Sequence, residues 1–545
     1  MASNGSSKTV FLAFSVNFFI AGIKTVIAIL TSSSAMFSEA VHSYVDSGNQ
    51  FLLWFGIKQS KKPNKLIYPL GRGKEEYFWT LVVAVLIFTI GGLVSLEHGI
   101  EALSHPKELK NLYISIIVLS VSIILELYVL YKAVKEYFDE VSIEDIKPNS
   151  WRVPIGGGFY GAEEVNAVVK CYLHGSLSIQ EPVVKFENNF SDYIGVKYGT
   201  ATNSGTSANI LALDTLIKHG KLKVGDYVAV PSTTFISVAT PVIQLGLIPM
   251  YVDIDRDTLN MNLDELEEVI RSEEKLKCVM AVHTLGNPMD MTRLMEITKD
   301  KDIQVIEDCC EAHGAEWDGQ KIGSFGVMST WSFYVAHHIT TAEGGMVCTN
   351  DVDLNVTLRE LREFGRDKSY QGKRYGIRSG NLIDFDERYT FDKVGWNFRM
   401  ADAPASFGNE QLKKLDKMNE IRLKNADRLI DGLKSYEEIS TFSHNDGMVK
   451  NSFYSFPITC NNSVSRNDMA RFLESKGIET RSIMCGTLSD QPALCEGPGI
   501  EWGKLRESRY IRDNAFFVGC HPLLGDEEID YVIETIDEYL KSLRK

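Results

Sequence analysis

An abrupt change of sequence pattern near residue 148 constrains the fold of this 545-residue chain more than any other feature. Before it lie four apolar runs, each close to the roughly 20 residues that a helix needs to cross a bilayer. After it, short apolar runs such as "DYVAVPS" and "KCVMAVHT" alternate with amphipathic helical segments, a pattern typical of a mostly parallel sheet covered by helices. A chain of this length exceeds what one hydrophobic core organises, so we expect at least two domains.

The charge is as uneven as the hydropathy. The formal net charge of -15 falls entirely on residues 149–545, because residues 1–148 hold 13 Lys+Arg and 13 Asp+Glu. Binding to nucleic acid requires clustered cations, so the composition predicts no nucleic-acid partner. All nine cysteines also lie after residue 148, unevenly spaced and odd in number, which indicates reduced thiols in the cytosol.

The four apolar runs predict an all-α transmembrane region of four helices, at about residues 9–31, 34–57, 77–99 and 112–133. The second and third are joined by the basic segment "KQSKKPNKLIYPLGRGK", which the positive-inside rule places in the cytoplasm. Four spans then put both termini on that side. The prediction is a multi-pass protein of the cytoplasmic (inner) membrane with its acidic domain in the cytoplasm.

His42 and Asp46 lie four residues apart within the second run, on one face of the predicted helix. An imidazole and a carboxylate at this spacing supply half of a tetrahedral site for Zn²⁺ or a similar ion. Their stretch "SEAVHSYVDSGNQ", with "YPLGRGKEEYFW" after it, resembles the cation diffusion facilitator family of metal/proton antiporters over roughly residues 8–140. That family has six spans and completes its site from a later one. Two interpretations stay open: a truncated segment that serves as an anchor, and metal transport by an assembled oligomer.

Four groups of residues after position 148 indicate a cofactor site. The first is Gly205, Thr206 and Ser207, which begin an apolar-periodic helix where backbone N–H groups and hydroxyls could cradle a phosphate. The second is Asp308, which ends the buried strand in "VIEDCCEAHGA" and could pair with a protonated pyridine nitrogen. Taken alone, each is better explained as a plain helix cap.

The other two groups follow the same logic. Phe235 stands at a strand end, where its ring could stack on a flat cofactor. Ser332 closes the strand that leads into "SFYVAHHITTAEGG", with His337 five residues later. Taken singly, Phe235 would be an ordinary core residue. The order and spacing of all four groups together indicate the site.

Together these motifs resemble the sugar aminotransferase superfamily of fold type I pyridoxal phosphate enzymes, over essentially residues 150–545. The resemblance implies a large α/β domain with a mostly parallel sheet at 150–420 and a smaller α+β domain at 421–545, after a membrane region at 1–140 and a linker at 141–149. It extends to "VGWNFRMADAPASFGNEQL", whose family motif Gly-x-Asn-x-Arg ends at Arg399. In that family Asn397 would reach the cofactor phosphate of a neighbouring subunit, which implies a homodimer. Further cofactor and substrate contacts are expected from Glu311, Arg366, Arg399 and Arg481.

One position departs from the aminotransferase pattern. Five residues after the strand-ending serine, those enzymes have the lysine that bonds covalently to the cofactor, and this chain has His337. Histidine cannot form that bond, so ordinary transamination is excluded. The stretch resembles a small branch of the superfamily, the dehydratases that remove the 3-hydroxyl of nucleotide-linked 4-keto-6-deoxyhexoses on the way to dideoxysugars of surface polysaccharides. With pyridoxamine 5'-phosphate held non-covalently, His337, poised near its ordinary pKa of about 6.5, would act as general base and then protonate the departing oxygen.

The source of electrons stays open. One style of dehydratase carries an iron-sulfur cluster on clustered cysteines, whereas the matching segment here, "FGRDKSYQGKRYGIRSG", has no cysteine. A cluster is therefore not expected, and L-glutamate is the expected amino donor, although residues 361–390 otherwise look more like the cluster-bearing enzymes. Also open are CDP against GDP in the nucleotide-linked keto-sugar, an aminotransferase-like or inactive protein without the lysine, and a divalent metal transporter with a fused cytoplasmic domain.

Overall fold

The chain forms two compact units, residues 1–148 and 149–545. In this computed structural model the described residues are 4–31, single positions within 37–55 and 113–128, and then 151–366, 391–442 and 447–544. All nine cysteines are free thiols. The finer domain boundaries at 140, 149 and 420 stay predictions.

The described part of the first unit consists mainly of helix α1, Asn4–Thr31. Its Lys24 is buried and donates a 3.1 Å hydrogen bond to the hydroxyl of Ser43. Among the described positions, no helix combines the length and the apolar character that a bilayer crossing requires. Since the hydrocarbon core requires about 20 consecutive apolar residues in one helix, the predicted four-helix transmembrane region and the multi-pass membrane location are wrong. His42 and Asp46 lie outside the described residues, as does most of the predicted second, third and fourth span.

The second unit alternates helices and strands. Its helices are α2 Ala162–Leu173, α3 Glu181–Ile194, α4 Gly205–Lys218, α5 Thr240–Gln244, α6 Leu263–Ser272, α7 Met291–Thr298, α8 Val352–Arg362, α9 Asp402–Leu412, α10 Leu415–Leu433, α11 Arg466–Ser475, α12 Arg506–Asn514 and α13 Asp526–Leu543. Its strands are β1 Tyr198–Thr202, β2 Tyr227–Pro231, β3 Ile248–Val252, β4 Leu276–Val282, β5 Gln304–Asp308, β6 Glu316–Trp317, β7 Gln320–Lys321, β8 Met328–Ser332, β9 Gly345–Thr349, β10 Ile439–Thr441, β11 Val449–Lys450, β12 Phe456–Cys460, β13 Arg481–Ser482, β14 Ile500–Glu501 and β15 Ala515–Val518.

Eight strands form the large sheet, in the order β1-β9-β8-β5-β4-β2-β3-β14. Every neighbouring pair from β8 to β14 is parallel, and β9 runs antiparallel to both β1 and β8. The strands are buried on both faces, which explains why they read as short continuous apolar runs rather than as an alternating pattern. The predicted α/β architecture with a mostly parallel sheet is therefore confirmed for this unit.

Two hydrophobic cores cover the large sheet and a third belongs to the C-terminal region. One face of the sheet packs around Trp331 and Phe333, and the other packs around Leu211 and Tyr251. The third core lies between the antiparallel sheet β10-β12-β15-β13 and helices α10, α11 and α13. The long helix α10 precedes this small sheet, so it carries the chain from the large domain into the smaller α+β region.

Candidate active site

A cavity of about 570 Å³ opens at the carboxyl ends of β5 and β8, the usual ligand-binding edge of an open α/β sheet. Its wall includes eight of the residues predicted from the sequence: Gly205, Thr206, Phe235, Asp308, Glu311, Ser332, His337 and Arg481. They come from strand ends, loops and a helix start that are far apart along the chain. The fold therefore brings together most of the predicted site.

Asp308 ends β5 and is 4 % exposed. Its Oδ2 accepts a 2.9 Å hydrogen bond from the side-chain amide of Asn209 on α4, and its Oδ1 accepts one of 3.1 Å from the backbone N–H of Cys310. Asn209 is itself fixed, because its Oδ1 accepts a 2.7 Å bond from the hydroxyl of Thr330 on β8. The carboxylate is therefore held in one orientation at the cavity wall, as a partner for a pyridinium N–H must be.

The start of α4 supplies the predicted phosphate cradle. Ser204 is the N-cap residue, and its Oγ accepts a 3.1 Å hydrogen bond from the backbone N–H of Ser207. The two hydroxyls are also bonded at 2.9 Å, so Ser207 belongs to the cap, whereas Gly205 and Thr206 face the cavity. The free N–H groups of the first helical turn attract an anion, and their partial positive charge adds to this attraction.

Gly205 is the position where the cradle tolerates no side chain. A Cβ atom built there would lie 2.7 Å from Cβ of Ser332, 3.1 Å from its Oγ and 3.3 Å from Sγ of Cys310. Glycine thus lets the helix start approach the end of β8 closely. The close approach, the cavity volume and the anchored carboxylate all fit a cofactor of the pyridoxal phosphate class.

His337 follows β8 in a short loop and is half-buried at the cavity wall. Its Nδ1 is buried with no hydrogen-bond partner, and its ring lies 5.4 Å from that of Tyr454 and 6.0 Å from that of His313. Burial, and then the positive charge of Arg422, lowers the pKa of His337 to about 3. The sequence predicts an imidazole poised near neutrality. The structure instead gives one that is uncharged throughout the physiological range.

Glu311 lines the same cavity. Its Oε2 accepts a 2.8 Å hydrogen bond from the backbone N–H of Leu285. Burial raises the pKa of Glu311 to about 8, in spite of that hydrogen bond. At neutral pH this side chain is therefore mainly a carboxylic acid, which can donate a hydrogen bond as well as accept one.

Phe235 and Arg481 lie at the cavity rim rather than at its base. Phe235 exposes 54 % of its surface. Arg481 is largely exposed and pairs with Glu479 at 2.5 Å, so its guanidinium can be redirected toward a ligand at little cost. An exposed aromatic ring and a mobile cation are suited to the larger part of a substrate that extends beyond the cofactor.

Asn397, Arg399 and Arg366 do not line the cavity. Asn397 is exposed and accepts a 3.2 Å hydrogen bond from Nε of Arg399, whose guanidinium lies over the ring of Phe364. Arg366 lies over the ring of Phe391. The predicted roles of these three residues depend on a neighbouring subunit or on a bound substrate, and they stay predictions. The segment without cysteine lies mostly outside the described residues.

The sequence does not reveal three further residues of the site. Asn209 orients Asp308, Ser204 caps α4, and Tyr454 places its ring beside His337 from the smaller region. Asn209 and Ser204 both lie in the predicted helix-start motif "NSGTSAN". The signal that could have identified them is their polar side chains at the start of a helix that packs against a buried strand end. Tyr454 carries no such signal, because it comes from a different part of the fold.

A second cluster next to Asp308 has the residue types of a metal site. Ligand atoms of His283, Glu307 and Cys309 all lie within 4.8 Å of one another. Glu307, however, already accepts three hydrogen bonds of 2.7–2.8 Å from backbone N–H groups of residues 323–326, and Nδ1 of His283 accepts one from Met289 N–H. With its acceptors occupied in this way, the cluster holds β5 in place rather than binding a metal.

The fold and the cavity together define a pyridoxal phosphate enzyme of fold type I. A family model described as "DegT/DnrJ/EryC1/StrS aminotransferase family" matches residues 160–537, and the chain belongs to this family. A second model, described as "Cation efflux transmembrane domain", matches residues 10–213. Both resemblances predicted from the sequence are thus confirmed.

Curated relatives match about seven tenths of the chain. The lipopolysaccharide biosynthesis protein RfbH of Salmonella typhimurium is 35% identical over 401 residues, which is 71% of this chain and 91% of that protein. The GDP-4-keto-6-deoxy-D-mannose 3-dehydratase of Yersinia pseudotuberculosis is 32% identical over 69% of this chain and 96% of its own length.

A solved structure agrees with this match. The E. coli GDP-4-keto-6-deoxy-D-mannose-3-dehydratase with bound hydrated PLP superposes with a TM-score of 0.66 at 29% identity, covering 71% of this chain and all of that one. A structure of GDP-4-keto-6-deoxymannose-3-dehydratase with a trapped PLP-glutamate geminal diamine has the same TM-score. The predicted cofactor class, pyridoxal or pyridoxamine 5'-phosphate, is confirmed.

Proposed function

We propose that the second unit is a pyridoxamine 5'-phosphate-dependent dehydratase that removes the 3-hydroxyl of a nucleotide-linked 4-keto-6-deoxyhexose. The single observation that carries this proposal is His337, a neutral imidazole on the cavity wall at the position where aminotransferases of the family have lysine. The 3-dehydratases of Yersinia pseudotuberculosis and E. coli, 32% and 31% identical to this chain, support it. GDP-linked 4-keto-6-deoxymannose is therefore the first substrate to test.

Residues of the cavity wall would hold the phosphate and the ring nitrogen of the cofactor. The N–H groups at the start of α4, with the hydroxyl of Thr206, would bind the phosphate, and Asp308 would bind the ring nitrogen. Ser332 would close the cradle beside Gly205. When bound, the cofactor supplies an amine for the sugar ketone and a ring that accepts electrons.

His337 would then move the protons. Because its Nδ1 is buried, Nε2 is the ring nitrogen that we assign to the cavity. Nε2 would accept a proton from carbon as a general base and pass it to the departing 3-hydroxyl, whose oxygen leaves as water. The low pKa of His337 keeps the ring in the accepting form at the outset and makes the protonated ring a strong acid afterwards.

The electrons for the deoxygenation would come from L-glutamate, which is supported by the trapped PLP-glutamate adduct in a GDP-4-keto-6-deoxymannose-3-dehydratase. One keto-sugar and one glutamate would give one 3-deoxy keto-sugar, one 2-oxoglutarate and one ammonia, so that atoms and electrons balance. A lysine at position 337 would compete for the same carbon with its own amine. With histidine at this position, elimination is the reaction that remains.

The test uses the full chain, loaded with pyridoxamine 5'-phosphate and mixed with GDP- or CDP-linked 4-keto-6-deoxyhexose and L-glutamate. Mass spectrometry should find a sugar with one oxygen fewer, with 2-oxoglutarate and ammonia formed in equal amounts. His337→Gln should slow this reaction by roughly 10²–10⁴-fold, the usual contribution of a positioned acid-base group. His174→Gln, at an exposed position of the same unit, is the matched control and should keep the wild-type rate.

Three results would contradict the proposal. One is a stable amino-sugar in place of the 3-deoxy product, which would indicate transamination. Another is a wild-type enzyme that changes neither sugar. The last is a His337→Gln variant that is as fast as the wild type. If the enzyme turns over with an added NADH-dependent reductase but not with glutamate, the proposed dehydration stands and only the proposed electron donor is wrong.

A further inference from the structure

Arg422 on α10 is a buried cation that pairs with no carboxylate among the described residues. It is 2 % exposed, and its Nη1 donates hydrogen bonds of 3.2 and 2.9 Å to the backbone carbonyls of Phe453 and Tyr454. Its Nε is buried and has no hydrogen-bond partner. Although burial lowers its pKa, arginine remains protonated in proteins. Since carbonyl groups are dipoles and not anions, they fix the guanidinium in place without cancelling its charge.

This charge lies behind the cavity wall among four histidines. The ring of His313 lies 5.4 Å from that of His338 and 6.0 Å from that of His337. His338 and His521 are buried and contact backbone carbonyls through their Nε2 atoms. Burial lowers the pKa of every member of this group, and Arg422 lowers each further.

Arg422 is also connected to the wall in which His337 lies. The carbonyl of Tyr454 accepts its hydrogen bond, and the ring of Tyr454 lies 5.4 Å from that of His337. The backbone N–H of Tyr454 donates a 3.0 Å bond to the carbonyl of Leu285, and the N–H of Leu285 donates to Glu311. The guanidinium therefore stays at a fixed position relative to the imidazole, and it does not line the cavity.

We propose that Arg422 is a positioning residue for the dehydration, a fixed and unpaired buried cation that keeps His337 uncharged and able to accept a proton. This inference rests on the proposed function. Arg422 acts only through the imidazole, because it touches neither the cavity nor anything bound there. A cation repels a second positive charge, and the repulsion is weakly screened inside the protein.

Other charged or titratable groups face His337 from each element around it, and the inference takes them into account. They are Asp308, Cys310 and Glu311 after β5, His313, Tyr334, His338 and Glu343 in the neighbouring loops, Tyr454 and Arg481 from the smaller region, and Arg422 on α10. Raised pKa values keep Cys310, Glu311 and Tyr454 mainly uncharged at neutral pH. Burial and the charge of Arg422 are the influences that act on the pKa of His337, and no carboxylate among the described residues offsets them.

The test measures the protonation of His337 directly, on the full chain without added cofactor. Diethyl pyrocarbonate reacts with neutral imidazole, so its rate at His337, mapped by tandem mass spectrometry between pH 4 and pH 8, reports the charge of the ring. Free N-acetylhistidine, with a pKa near 6.5, should react about 300-fold more slowly at pH 4 than at pH 8. In the wild type, His337 should react at a rate that changes less than twofold once reagent loss is corrected.

Arg422→Gln should bring the loss of reactivity into this range, with His337 reacting at least threefold more slowly at pH 4 than at pH 8, because burial still lowers the pKa of the imidazole when the cation is removed. Arg422→Lys keeps the charge and should behave as the wild type. Arg428→Gln is the matched control, because Arg428 is an exposed cation on the same helix, paired with Asp530. It should also leave the profile flat. Circular dichroism at each pH establishes that every variant is folded.

The inference is overturned if Arg422→Gln and the wild type share one profile, or if wild-type His337 loses reactivity near pH 6.5. The second result decides the question even if Arg422→Gln does not fold. An assay for the 3-deoxy sugar on the same preparations separates the two proposals. If the wild type makes no product but the reactivity profiles are as expected, the proposed function is wrong and the effect of Arg422 on His337 stands. If product forms but Arg422→Gln has the wild-type profile, only the inference about Arg422 is wrong.

Discussion

Asn209 donates a 2.9 Å hydrogen bond to Asp308 across 99 positions of the chain. It links the first turns of α4, beside the phosphate cradle, to the carboxylate at the end of β5. The orientation of that carboxylate therefore depends on an amide that is itself held in place: its Oδ1 accepts a 2.7 Å hydrogen bond from Thr330, and its Nδ2 also donates one of 3.1 Å to the carbonyl of Ser237.

Asn209→Ala should weaken cofactor binding and lower the free energy of unfolding by about 1–3 kcal/mol, because Asp308 and Thr330 both lose a buried partner. Urea unfolding and a titration with pyridoxal 5'-phosphate, followed by absorbance, check the two effects. Asn189→Ala is the control, since Asn189 donates to Asn409 outside the cavity. It should reduce stability alone. A variant of Asn209 with wild-type cofactor affinity would contradict the assigned role.

Gly205→Ala should reduce cofactor affinity at least tenfold while the chain remains folded. The added methyl group would lie 2.7 Å from Cβ of Ser332, so either the helix start or the end of β8 must move. The same absorbance titration measures the loss. In the control Gly525→Ala, at the N-cap of α13, the new methyl meets only the flexible end of Glu528 at 3.2 Å. Equal affinities in the two variants would show that the cradle has more space than its geometry indicates.

Arg362 and Arg359 share the carboxylate of Glu187 but differ in burial. Arg362 is fully buried and donates at 2.5 Å, whereas the side chain of Arg359 is 29 % exposed and donates at 2.7 Å. Arg362→Met leaves a buried charge without its main partner and should cost about 3–5 kcal/mol of unfolding free energy. Arg359→Met should cost about 1 kcal/mol or less. Urea denaturation of both variants checks this order, and the reverse order would contradict it.

Acid should destabilise the second unit as the pH falls from 7 to 5. Burial lowers the pKa of four histidines, so the unfolded chain takes up protons near pH 6.5 that the folded chain does not, and their stabilisation is present above pH 6.5 and lost below it; they are His313, His337, His338 and His521. Glu311 works in the opposite direction, because its folded pKa is raised to about 8 and its stabilisation is lost as the pH rises from 4.5 towards 8. Four imidazoles outweigh one carboxyl group.

The melting temperature measured at half-unit steps between pH 7 and pH 5 checks this expectation. It should fall steadily, because the unfolding free energy declines with a limiting slope on the order of 4 kcal/mol per pH unit once the opposing carboxyl group is counted. His521→Gln should reduce the slope of unfolding free energy against pH by the contribution of about one proton. A melting temperature that rises on acidification would show that the buried imidazoles are not neutral in the folded state.

The sequence alone was sufficient for most of the local elements of the site. The serine-rich turn before α4 is an N-cap pattern, and its glycine is needed for the close approach to Ser332. Asp308 and Ser332 are read directly as the ends of buried strands. The replacement of lysine by His337 was visible in the sequence as well, so the class of enzyme and its departure from transamination did not require a structure.

Other properties could not be predicted, since they arise between segments that are distant along the chain. The transmembrane prediction followed from runs of apolar residues, whereas no helix among the described residues is both long and apolar enough to cross a bilayer. Asn397 was expected at the cofactor, and in the single chain it lies exposed outside the cavity. Its predicted role concerns a neighbouring subunit, whose placement no local pattern encodes.

The sequence by itself determined which residues stand at strand ends and helix starts, because periodicity, caps and glycines act over a few positions. Only the tertiary structure decided the charge of those residues. His337 is uncharged because the fold buries it and places Arg422 behind it, 85 positions further along the chain. Burial and long-range charge depend on which elements pack together, and for that reason the motif predicted which group would react while the fold set its protonation.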